Sequence, residues 1–378
     1  MITLILVVFL LIYVLTIVQL IYGFDKIIEY KPKTHNPQPT TFFAVVIPFR
    51  NEIENLPDLL ESIKNLDYPK ELFEIILVDD FSEDDSVKYI YSWRMENGSF
   101  QTTLLENLRI SNSPKKDAIA RAIPIIKNEW IITTDADCIV NKNWLKTLDD
   151  YIQNHKVSMI VGSVTYQCKK SFLHHFQQLD LLSLQGSTIG SFGMNLGFMC
   201  NGANFCYTKS LFNNLNGFIG NNKIASGDDV FLLQKAMQSR NFGADQVHYL
   251  KSKDNIVVTK PVDSWSALLQ QRIRWASKTS SYHSVFGKDL AVIVFLGNLS
   301  LVVGCGLWVV GFMTGINLAI LFLIKFLFDS TLLLKTNHFF TEKRMRYLIL
   351  SSIFYPFFCV SVALFSMFGK YEWKERRF

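Results

Sequence analysis

The sequence is poor in cysteine and has no cysteine spacing typical of a metal site. Its six cysteines include no Cys-x-x-Cys pair, and two of them, Cys305 and Cys359, fall within long apolar runs. Disulfide frameworks and zinc sites need paired spacings, whereas scattered cysteines are typical of free thiols in a reducing compartment. We therefore expect neither a disulfide scaffold nor a structural zinc site.

The sequence also lacks a strong charge bias and an internal repeat. The formal net charge of +5 is small for 378 residues, and many basic residues lie beside apolar runs. No self-similarity at a period of about 20 to 50 residues is evident, which excludes a repeat array. We interpret the basic residues as contacts for anionic membrane lipids, and we expect no nucleic-acid partner.

The amino-terminal run from Ile2 to Phe24 carries no charge and exceeds the roughly 20 residues that span a bilayer. No basic residues precede it and no small-residue cleavage site follows. This pattern predicts a retained anchor and not a cleaved signal peptide. Lys26, Lys31 and Lys33 come next, and by the positive-inside rule they place this flank in the cytoplasm.

Three further apolar runs lie near the carboxyl end: Leu290 to Phe312, Ile316 to Leu334 and Tyr347 to Phe368. Lys325 and Asp329 lie one helical turn apart inside the second run, and we expect an ion pair there and not a transport site. The basic segment 341–346 follows this run. Three full crossings would place the basic tail 370–378 outside the cytoplasm, so either one run is re-entrant or the charge signal is overridden.

The middle of the chain alternates strand-like and helix-like segments. After a proline-rich linker, "FFAVVIP" is an apolar run suited to a buried strand, and "NEIENLPDLLESIKNL" has apolar residues at helical spacing. "FEIILVDD" and "EWIITTDAD" are further strands, with helical segments between them. This alternation predicts an α/β domain with a mostly parallel sheet.

Acidic residues end two of these strands, as Asp79 and Asp80 and as Asp135 and Asp137. Ligands of open α/β sheets bind beyond the carboxyl ends of the strands. An Asp-x-Asp sequence offers two oxygen ligands to Mg2+ or Mn2+. Because aspartate is common where strands end, the Asp-x-Asp sequence indicates a metal site only in combination with the other motifs.

Seven motifs occur in order: "VVIPFRNEIENL", "ILVDDFSEDDS", "KKDAI", "TTDADC", "NGANFCYTKSLFNNLNGF", "SGDDVFLL" and "QQRIRW". Over about Phe43 to Ser280 this series resembles the family 2 glycosyltransferases, which are inverting enzymes of the GT-A fold, and most of all their bacterial membrane-bound members. The resemblance implies a Rossmann-like GT-A catalytic domain with one amino-terminal and about three carboxyl-terminal transmembrane helices. The expected divisions are an anchor at 1–24, a linker at 25–41, a GT-A domain at 42–285, a membrane region at 286–369 and a tail at 370–378.

The resemblance implies a nucleotide site at the first two strand ends. Pro48, Arg50 and Glu52 would seat the nucleotide, and Asp80, with Asp79 beside it, would accept the uracil imide hydrogen. The alternative for Glu52 is a structural carboxylate at a helix start.

The resemblance also implies a diphosphate and metal site. Lys115 lies where many members carry a Gly-Lys pair near the diphosphate, although Pro114 replaces the glycine; a solvated lysine is the alternative. Asp137 would bind Mg2+ or Mn2+ directly, with Asp135 on the metal, ribose or sugar side. The ion would stabilise the leaving nucleoside diphosphate.

In "SGDDVFLL" the resemblance implies that Asp229 takes the proton of the acceptor hydroxyl, with Asp228 raising its proton affinity. The structural alternative is a helix N-cap, and the two roles are compatible. "QQRIRW" implies a hydrogen bond from Gln271, a diphosphate contact from Arg274 and an acceptor floor from Trp275. A basic amphipathic helix beside a membrane is the alternative for this string.

Gly202 would line the acceptor side, where a small residue allows close backbone approach. The position where an arginine is usual holds the segment 207–209, so the acceptor contacts stay open. The segment from Phe172 predicts either an interfacial or a packed helix. Its adjacent histidines, His174 and His175, lack the spacing of a metal pair.

The resemblance thus implies an integral membrane protein of a bacterial inner (cytoplasmic) membrane, with its catalytic domain on the cytoplasmic side. It would transfer a sugar from a nucleotide-diphosphate donor, UDP-linked in the first instance, to a lipid-linked saccharide or growing polysaccharide, beside other envelope-biosynthesis proteins. The alternatives are a processive polysaccharide synthase coupled to export and a non-catalytic sugar-nucleotide-binding scaffold. A glycoside hydrolase would need paired carboxylates but neither the Asp-x-Asp motif nor a nucleotide pocket.

Overall fold

A computed structural model describes residues 2–32, 38–221, 224, 226–341, 344–368, 372–373 and 376–377. Part of the linker, part of the basic segment 341–346 and most of the tail therefore lie outside the described residues, as does Lys33. By their contacts the residues form two units. The sheet unit comprises Ile28–Gln167 and Gly197–Lys260, and the helical unit comprises Met1–Ile27, Cys168–Leu196 and Pro261–Phe378.

In its described residues the sheet unit has ten strands and seven α-helices in α/β alternation. The strands are β1 (Phe43–Phe49), β2 (Phe73–Asp79), β3 (Gln101–Glu106), β4 (Trp130–Thr133), β5 (Cys138–Ile139), β6 (Met159–Gly162), β7 (Val164–Tyr166), β8 (Phe205–Thr208), β9 (Val247–Leu250) and β10 (Val257–Thr259). The helices are α2 (Leu56–Lys64), α3 (Ser86–Glu96), α4 (Pro114–Ala122), α5 (Trp144–Asn154), α7 (Lys209–Asn214), α8 (Asp228–Gln238) and α9 (Gly243–Gln246).

Seven strands form the main sheet, in the order β3-β2-β1-β4-β8-β6-β9. The first four are parallel, with Val45 of β1 opposite Ile75 of β2 and Ile132 of β4. Only β8 runs antiparallel to both of its neighbours. The predicted mostly parallel sheet is therefore confirmed, and the carboxyl ends of β1 to β4 lie at one edge. The remaining strands, β5, β10 and β7, form a small second sheet.

The apolar spacing of the sequence accounts for the core of this unit. Leu56, Leu59, Leu60 and Ile63 form the buried face of α2 and belong to one core cluster with the alternate residues of β1 and β2. Burying a side chain of this kind contributes about 1.5–3 kcal/mol. Trp144 at the start of α5 is fully buried and donates its indole N–H to Asn204 Oδ1 at 3.0 Å. This hydrogen bond links the start of α5 to the segment just before β8.

Where the structure describes it, the helical unit has six α-helices and one pair of short strands. The helices are α1 (Ile2–Lys26), α6 (Phe172–Gly193), α10 (Trp265–Ala276), α11 (Val285–Val309), α12 (Gly315–Phe340) and α13 (Leu348–Phe368), and the strands are β11 (Glu372–Trp373) and β12 (Arg376–Arg377). Within the described residues, α1, α11, α12 and α13 are long and apolar enough to cross a membrane. One such helix at the amino end and three at the carboxyl end confirm the predicted arrangement.

An ion pair lies inside α12. Lys325 Nζ is 2.5 Å from Asp329 Oδ2, and Tyr13 of α1 donates its hydroxyl to Asp329 Oδ1 at 2.7 Å. The pairing expected from the sequence is thus present, and it is joined by a partner from another helix. All six cysteines are free thiols, as expected.

Helix α6 packs against α1 through glycines. A Cβ on Gly190 would overlap the carbonyl oxygen of Leu20, and a Cβ on Gly193 would overlap that of Gly23. Small residues at helix crossings allow this close backbone approach. Since most of α6 is buried, it is a packed helix, which is one of the two readings of its sequence. By their contacts, α6 and α10 belong to the unit of the apolar helices, whereas the sequence motifs assign both helices to the GT-A domain 42–285. The predicted domain boundaries therefore stay a prediction.

The α1–α6 contact can be tested with Gly190→Leu. The new side chain would meet backbone atoms that cannot rotate away. We therefore expect the free energy of unfolding to fall by at least the amount typical of an overpacked core, about 1–3 kcal/mol. Thermal unfolding of the detergent-solubilised protein measures this as a lower melting temperature. Gly306→Leu in α11 is the matched control, because its Cβ would meet open space among the described residues. Equal melting of the two variants would contradict the packing.

Candidate active site

The loops that follow β1 and β2 hold each other in place. Asn51 and Phe81 have left-handed backbones, with φ of +52° and +60°. Few residues other than glycine adopt this region of φ/ψ space, and holding a residue there costs about 1–3 kcal/mol. The Asn51 N–H donates to Ser82 Oγ at 3.0 Å. The Glu83 N–H donates to Asn51 Oδ1 at 2.8 Å. These bonds tie the two strained turns together at the carboxyl edge of the sheet.

Arg50 fixes the second of these loops. Its Nη1 donates to the carbonyl oxygen of Asp80 at 2.9 Å and to that of Phe81 at 2.5 Å. Its Nη2 lies 2.8 Å from Glu83 Oε1. The side chain is 13% exposed. In this structure Arg50 therefore supports the loop backbone.

Asp80 is buried and is held by residues that follow β3. Its Oδ1 accepts hydrogen bonds from Asn107 Nδ2 and Arg109 Nε, each at 2.8 Å. Arg109 Nη2 also donates to the Asp80 carbonyl oxygen at 3.0 Å. Sequence reasoning did not identify Arg109. The sequence signal that could have identified Arg109 is its position just after β3, the strand that neighbours β2. The carboxyl ends of neighbouring parallel strands lie at the same edge of a sheet, where ligands bind.

The remaining residues of the predicted nucleotide site lie beside these loops. Pro48 is half-buried in β1, and Asp79 Oδ1 accepts the Ser82 N–H at 3.0 Å. Glu52 Oε2 accepts from Asn55 Nδ2 at 2.7 Å. Arg50, Asp79 and Asp80 thus form one group, and Glu52 lies in the turn that precedes α2.

A group of carboxylates surrounds the Asp-x-Asp turn between β4 and β5. Burial, and then the negative charges of Asp135 and Glu52, raise the pKa of Asp137 to about 6. Cys138 donates weakly to Asp137 Oδ1 at 3.6 Å. Burial, followed by the charge of Asp137, raises the pKa of the Cys138 thiol, so it stays neutral. The turn is therefore a region of crowded negative charge.

The side chains of this turn fit a divalent cation that shares its coordination with a substrate. Within the described ranges, no cluster of three or more histidine, cysteine or carboxylate side chains forms a complete metal site. Mg2+ is typically held by one or two carboxylates together with substrate phosphates. Asp135 and Asp137 supply that number of hard oxygen donors.

Lys115 lies between two acidic groups. Its Nζ is 2.5 Å from Asp135 Oδ1 and 3.5 Å from Asp228 Oδ2. Burial alone would lower its pKa, but the charges of Asp135 and Asp228 outweigh burial and hold the pKa of Lys115 well above its usual value. Lys115 is therefore a fixed positive charge within the acidic cluster and not a solvated lysine.

Asp229 lies beside Gly202 in the first turn of α8. The Gly202 N–H donates to Asp229 Oδ2 at 2.8 Å, and the Val230 N–H lies 2.7 Å from Asp229 Oδ1. The residue before the helix is Gly227, with φ of +82° and no side-chain cap, so neither aspartate is the N-cap. A Cβ on Gly202 would lie 3.0 Å from Asp228 Oδ2 and 3.1 Å from Lys115 Nζ. The structure thus brings Lys115, Asp135, Asp228, Asp229 and Gly202 into one cluster.

Gln271, Arg274 and Trp275 lie on α10 in the helical unit. Gln271 Oε1 accepts a hydrogen bond from Arg272 Nη1. The Arg272 guanidinium is 4.2 Å from the centre of the Trp275 ring, and its Nε is 2.6 Å from Asp180 Oδ2. Arg272, which sequence reasoning missed, therefore pairs with the buried Asp180 and contacts two of the motif residues, Gln271 and Trp275.

Comparison with known proteins identifies the class. A mannosyltransferase from Pyrobaculum calidifontis, solved in complex with GDP-Man and Mn2+, is similar with a TM-score of 0.60 over 97% of this chain and 99% of that chain. At 16% identity this likeness concerns the fold alone. With the parallel sheet described above, it defines the sheet unit as a GT-A fold.

The family follows from two sequence models. The model "Glycosyl transferase family 2" matches residues 44–215, and "Glycosyl transferase family group 2" matches residues 130–368, which is more than half of the chain. The chain belongs to the family 2 glycosyltransferases, and the family assignment made from the motifs is confirmed.

Two curated relatives share part of this region. A poly-β-1,6-N-acetyl-D-glucosamine synthase of Staphylococcus epidermidis is 28% identical over 137 residues, which is 36% of this chain and 32% of that protein. The poly(ribitol-phosphate) β-N-acetylglucosaminyltransferase TarS of Staphylococcus aureus is 27% identical over 119 residues, 32% of this chain and 20% of that protein. The chain thus matches a third or less of the length of these relatives.

Proposed function

We propose that this glycosyltransferase moves a sugar, with inversion, from a UDP-sugar to a lipid-linked saccharide or growing polysaccharide at the cytoplasmic face of a bacterial inner membrane. The observation that carries the proposal is the Lys115 ammonium between Asp135 and Asp228, 2.5 Å and 3.5 Å away. These contacts join a cation to Asp135, one of the two candidate metal ligands, and to Asp228, the neighbour of the candidate base Asp229. This is the set of groups that diphosphate departure and hydroxyl activation require.

The donor would bind along the carboxyl edge of the sheet. The group Pro48, Arg50, Asp79 and Asp80 would receive the nucleoside, with Glu52 beside it. Lys115 would contact the diphosphate, because its ammonium is held charged within reach of both acidic elements. The N-acetylglucosamine in the names of two relatives supports UDP-N-acetylglucosamine as the first donor to examine.

Asp137 and Asp135 would hold Mg2+ or Mn2+ together with the donor's diphosphate. When bound, the ion would supply Lewis-acid charge to the oxygens of the leaving group. The Lys115 ammonium would stabilise the same negative charge on the leaving diphosphate. Burial, and then the charges of Asp135 and Glu52, raise the pKa of Asp137 to about 6. A bound cation would offset both effects, which supports this proposal.

In the transfer step, the acceptor hydroxyl oxygen attacks the anomeric carbon of the donor sugar. The bond from that carbon to the diphosphate oxygen breaks, and the nucleoside diphosphate leaves with the electron pair. Asp229 accepts the hydroxyl proton. The Gly202 N–H at 2.8 Å orients its carboxylate, and Asp228 lies against Lys115. The roles implied for Gln271, Arg274 and Trp275 remain predictions.

A donor screen tests the proposal. The purified full-length protein in detergent would be incubated with UDP- and GDP-sugars, and release of the nucleoside diphosphate would be measured. We expect release with a UDP-sugar, its loss on adding EDTA, and its recovery with excess Mn2+ or Mg2+. No release with any donor would overturn the enzymatic proposal and favour a sugar-nucleotide-binding scaffold. Release that is unaffected by EDTA would overturn the metal assignment.

A processive synthase is the second candidate. The motif residues Gln271, Arg274 and Trp275 and the synthase among the relatives favour it. The four candidate membrane spans of the described residues leave little material for a channel and argue against it. The length of the product separates the two functions. A long polymer from purified protein and donor supports the synthase, whereas a single added sugar supports single transfer.

A further inference from the structure

Lys116, the neighbour of Lys115 on α4, is a buried lysine whose side chain is 2% exposed. Its Nζ donates to the backbone carbonyl oxygens of Asn221 and Ile224, each at 2.9 Å. It also lies 5.2 Å from the centre of the Phe231 ring. Moving an ammonium out of water is costly unless other polar groups take the place of the water. The two carbonyl oxygens and the ring face of Phe231 supply such contacts.

These contacts of Lys116 lie on both sides of the proposed base. Two of them are made with the α7–α8 segment, which we define as residues 215–227. Of this segment the structure describes residues 215–221, 224, 226 and 227. The third contact is made with Phe231 in the first turn of α8, and Asp229 lies in the same turn. One ammonium thus links the chain that enters α8 to the helix itself, with Asp229 between the two points of contact.

The α7–α8 segment needs contacts of this kind because its backbone has an unusual conformation. Four of its described residues have left-handed backbones, with φ of +53°, +47°, +95° and +82°: Asn216, Gly217, Gly220 and Gly227. Ordering a glycine-rich backbone costs more conformational entropy than ordering other residues. Neighbouring elements must therefore supply the contacts that hold the segment in one conformation.

A second lysine, Lys235 of α8, holds the other end of this segment. Its Nζ donates to the carbonyl oxygens of Leu215, Gly217 and Ile219, at 3.2 Å, 2.7 Å and 2.7 Å. These groups lie in the part of the segment that follows α7. Lys116 acts on the part that leads into α8, and the two lysines therefore hold different parts of one segment.

The position of Lys116 on α4 connects this segment with the rest of the cluster. Adjacent residues of a helix do not share a face. Lys115 Nζ accordingly reaches Asp135 and Asp228, at 2.5 Å and 3.5 Å, whereas Lys116 reaches the α7–α8 segment. The first turn of α4 thus contacts both the candidate metal ligands and the chain that precedes the base.

We propose that Lys116 is a positioning residue for the proton transfer: it fixes the entry to α8 and thereby the location of the Asp229 carboxylate. The inference rests on the proposed function and adds to it a residue that acts through the base. A displacement of about 1 Å at a reacting group can slow a reaction by about 10²-fold. A lysine that holds the backbone beside the base can therefore control the rate.

The test is a double-mutant cycle of Lys116→Met and Asp229→Asn in the full-length protein. Single-turnover UDP release is measured with Mn2+ and the most active donor of the donor screen, and a bacterial lipid extract is the source of acceptor. We expect Lys116→Met to slow release about 10- to 100-fold and to bind UDP within about threefold of the wild type. In the Asp229→Asn protein the same substitution should slow release by less than about threefold, because the base through which Lys116 acts is already lost.

A merely structural role for Lys116 would slow release by the same factor in the wild type and in Asp229→Asn. That result, or a folded Lys116→Met protein with the wild-type rate, would overturn the inference and leave the proposed function intact. No release by the wild type with any donor would overturn both. Lys116→Gln is uncharged but can still donate to a carbonyl. It should give an intermediate rate, and it replaces Lys116→Met in the cycle if that variant fails to fold.

Lys235→Met is the matched control, because it removes an ammonium from the part of the same segment that follows α7. We expect it to lower the melting temperature as Lys116→Met does, but to release UDP within about threefold of the wild-type rate. Equal slowing by the two substitutions would mean that general loosening of the segment, and not the contacts beside Asp229, sets the rate. That result would also overturn the inference.

Discussion

Asp229→Asn is expected to lower the rate of sugar transfer by about 10²- to 10⁴-fold, the usual contribution of a general base. The amide has nearly the shape of the carboxylate but cannot accept the acceptor's proton. Both carboxylate oxygens lie beside backbone N–H groups, those of Gly202 and Val230. The substitution therefore also removes one acceptor, at a cost of about 1–3 kcal/mol if the N–H group is left buried.

Transfer rate and UDP affinity must both be measured to separate these effects. We expect the variant to bind UDP within about threefold of the wild type, because Asp229 acts on the acceptor and not on the nucleotide. Asp85→Asn is the matched control, since Asp85 is exposed at the start of another helix and makes no side-chain cap bond. It should transfer sugar at the wild-type rate. A folded Asp229→Asn protein with full activity would remove Asp229 from the mechanism.

Lys115→Met should lower the transfer rate by about 10²- to 10³-fold, the usual effect of losing one preorganised charge at a developing anion. The ammonium balances Asp135 and Asp228 in the free protein. Without it, two carboxylates lose their shared counter-charge and the diphosphate meets uncompensated negative charge. We therefore expect weaker UDP binding as well as slower transfer.

Single-turnover rates and UDP titrations measure the two effects of Lys115→Met. Lys115→Arg should recover part of the affinity, because it keeps the charge but not the compact shape of the ammonium. Lys156→Met, at an exposed position on the loop after α5, should behave as the wild type. If Lys115→Met bound UDP and transferred sugar normally, Lys115 would be only a structural partner of the two aspartates.

Local sequence patterns were sufficient for strands β1, β2 and β4 and for the acidic turns after β2 and β4, but not for the antiparallel strand β8. The apolar run that became β1 is buried along almost its whole length, and strand-forming residues before Asp135 end in β4 at Thr133. An apolar run followed by an acidic residue is a pattern of residues that are adjacent in the sequence. It could therefore be located before any long-range contact was known.

The contacts made by Arg109 and Lys115 depend on which strand ends and helix starts become neighbours. Arg109 reaches Asp80 because β3 pairs with β2. Phe81 adopts a left-handed turn although its sequence contains no glycine or asparagine there, and hydrogen bonds to residues of another loop maintain it. Long-range contacts of this kind are not visible in a single sequence.

The packing of helix α6 also could not be predicted from the hydropathy of its sequence. Its sequence mixes polar and apolar residues, and its place beside α1 is set by Gly190 and Gly193, where backbones meet. Glycine is more often read as a helix breaker than as a contact. The sequence therefore left open whether this helix packs or lies at an interface.

The anomeric configuration of the product tests the central claim most directly. Purified full-length protein would be supplied with an α-linked UDP-sugar and an acceptor, and the new linkage would be assigned by nuclear magnetic resonance. A single displacement with Asp229 as the base must give a β-linked product, because the hydroxyl attacks the face opposite the diphosphate. We expect that β linkage. An α-linked product would contradict the proposed mechanism.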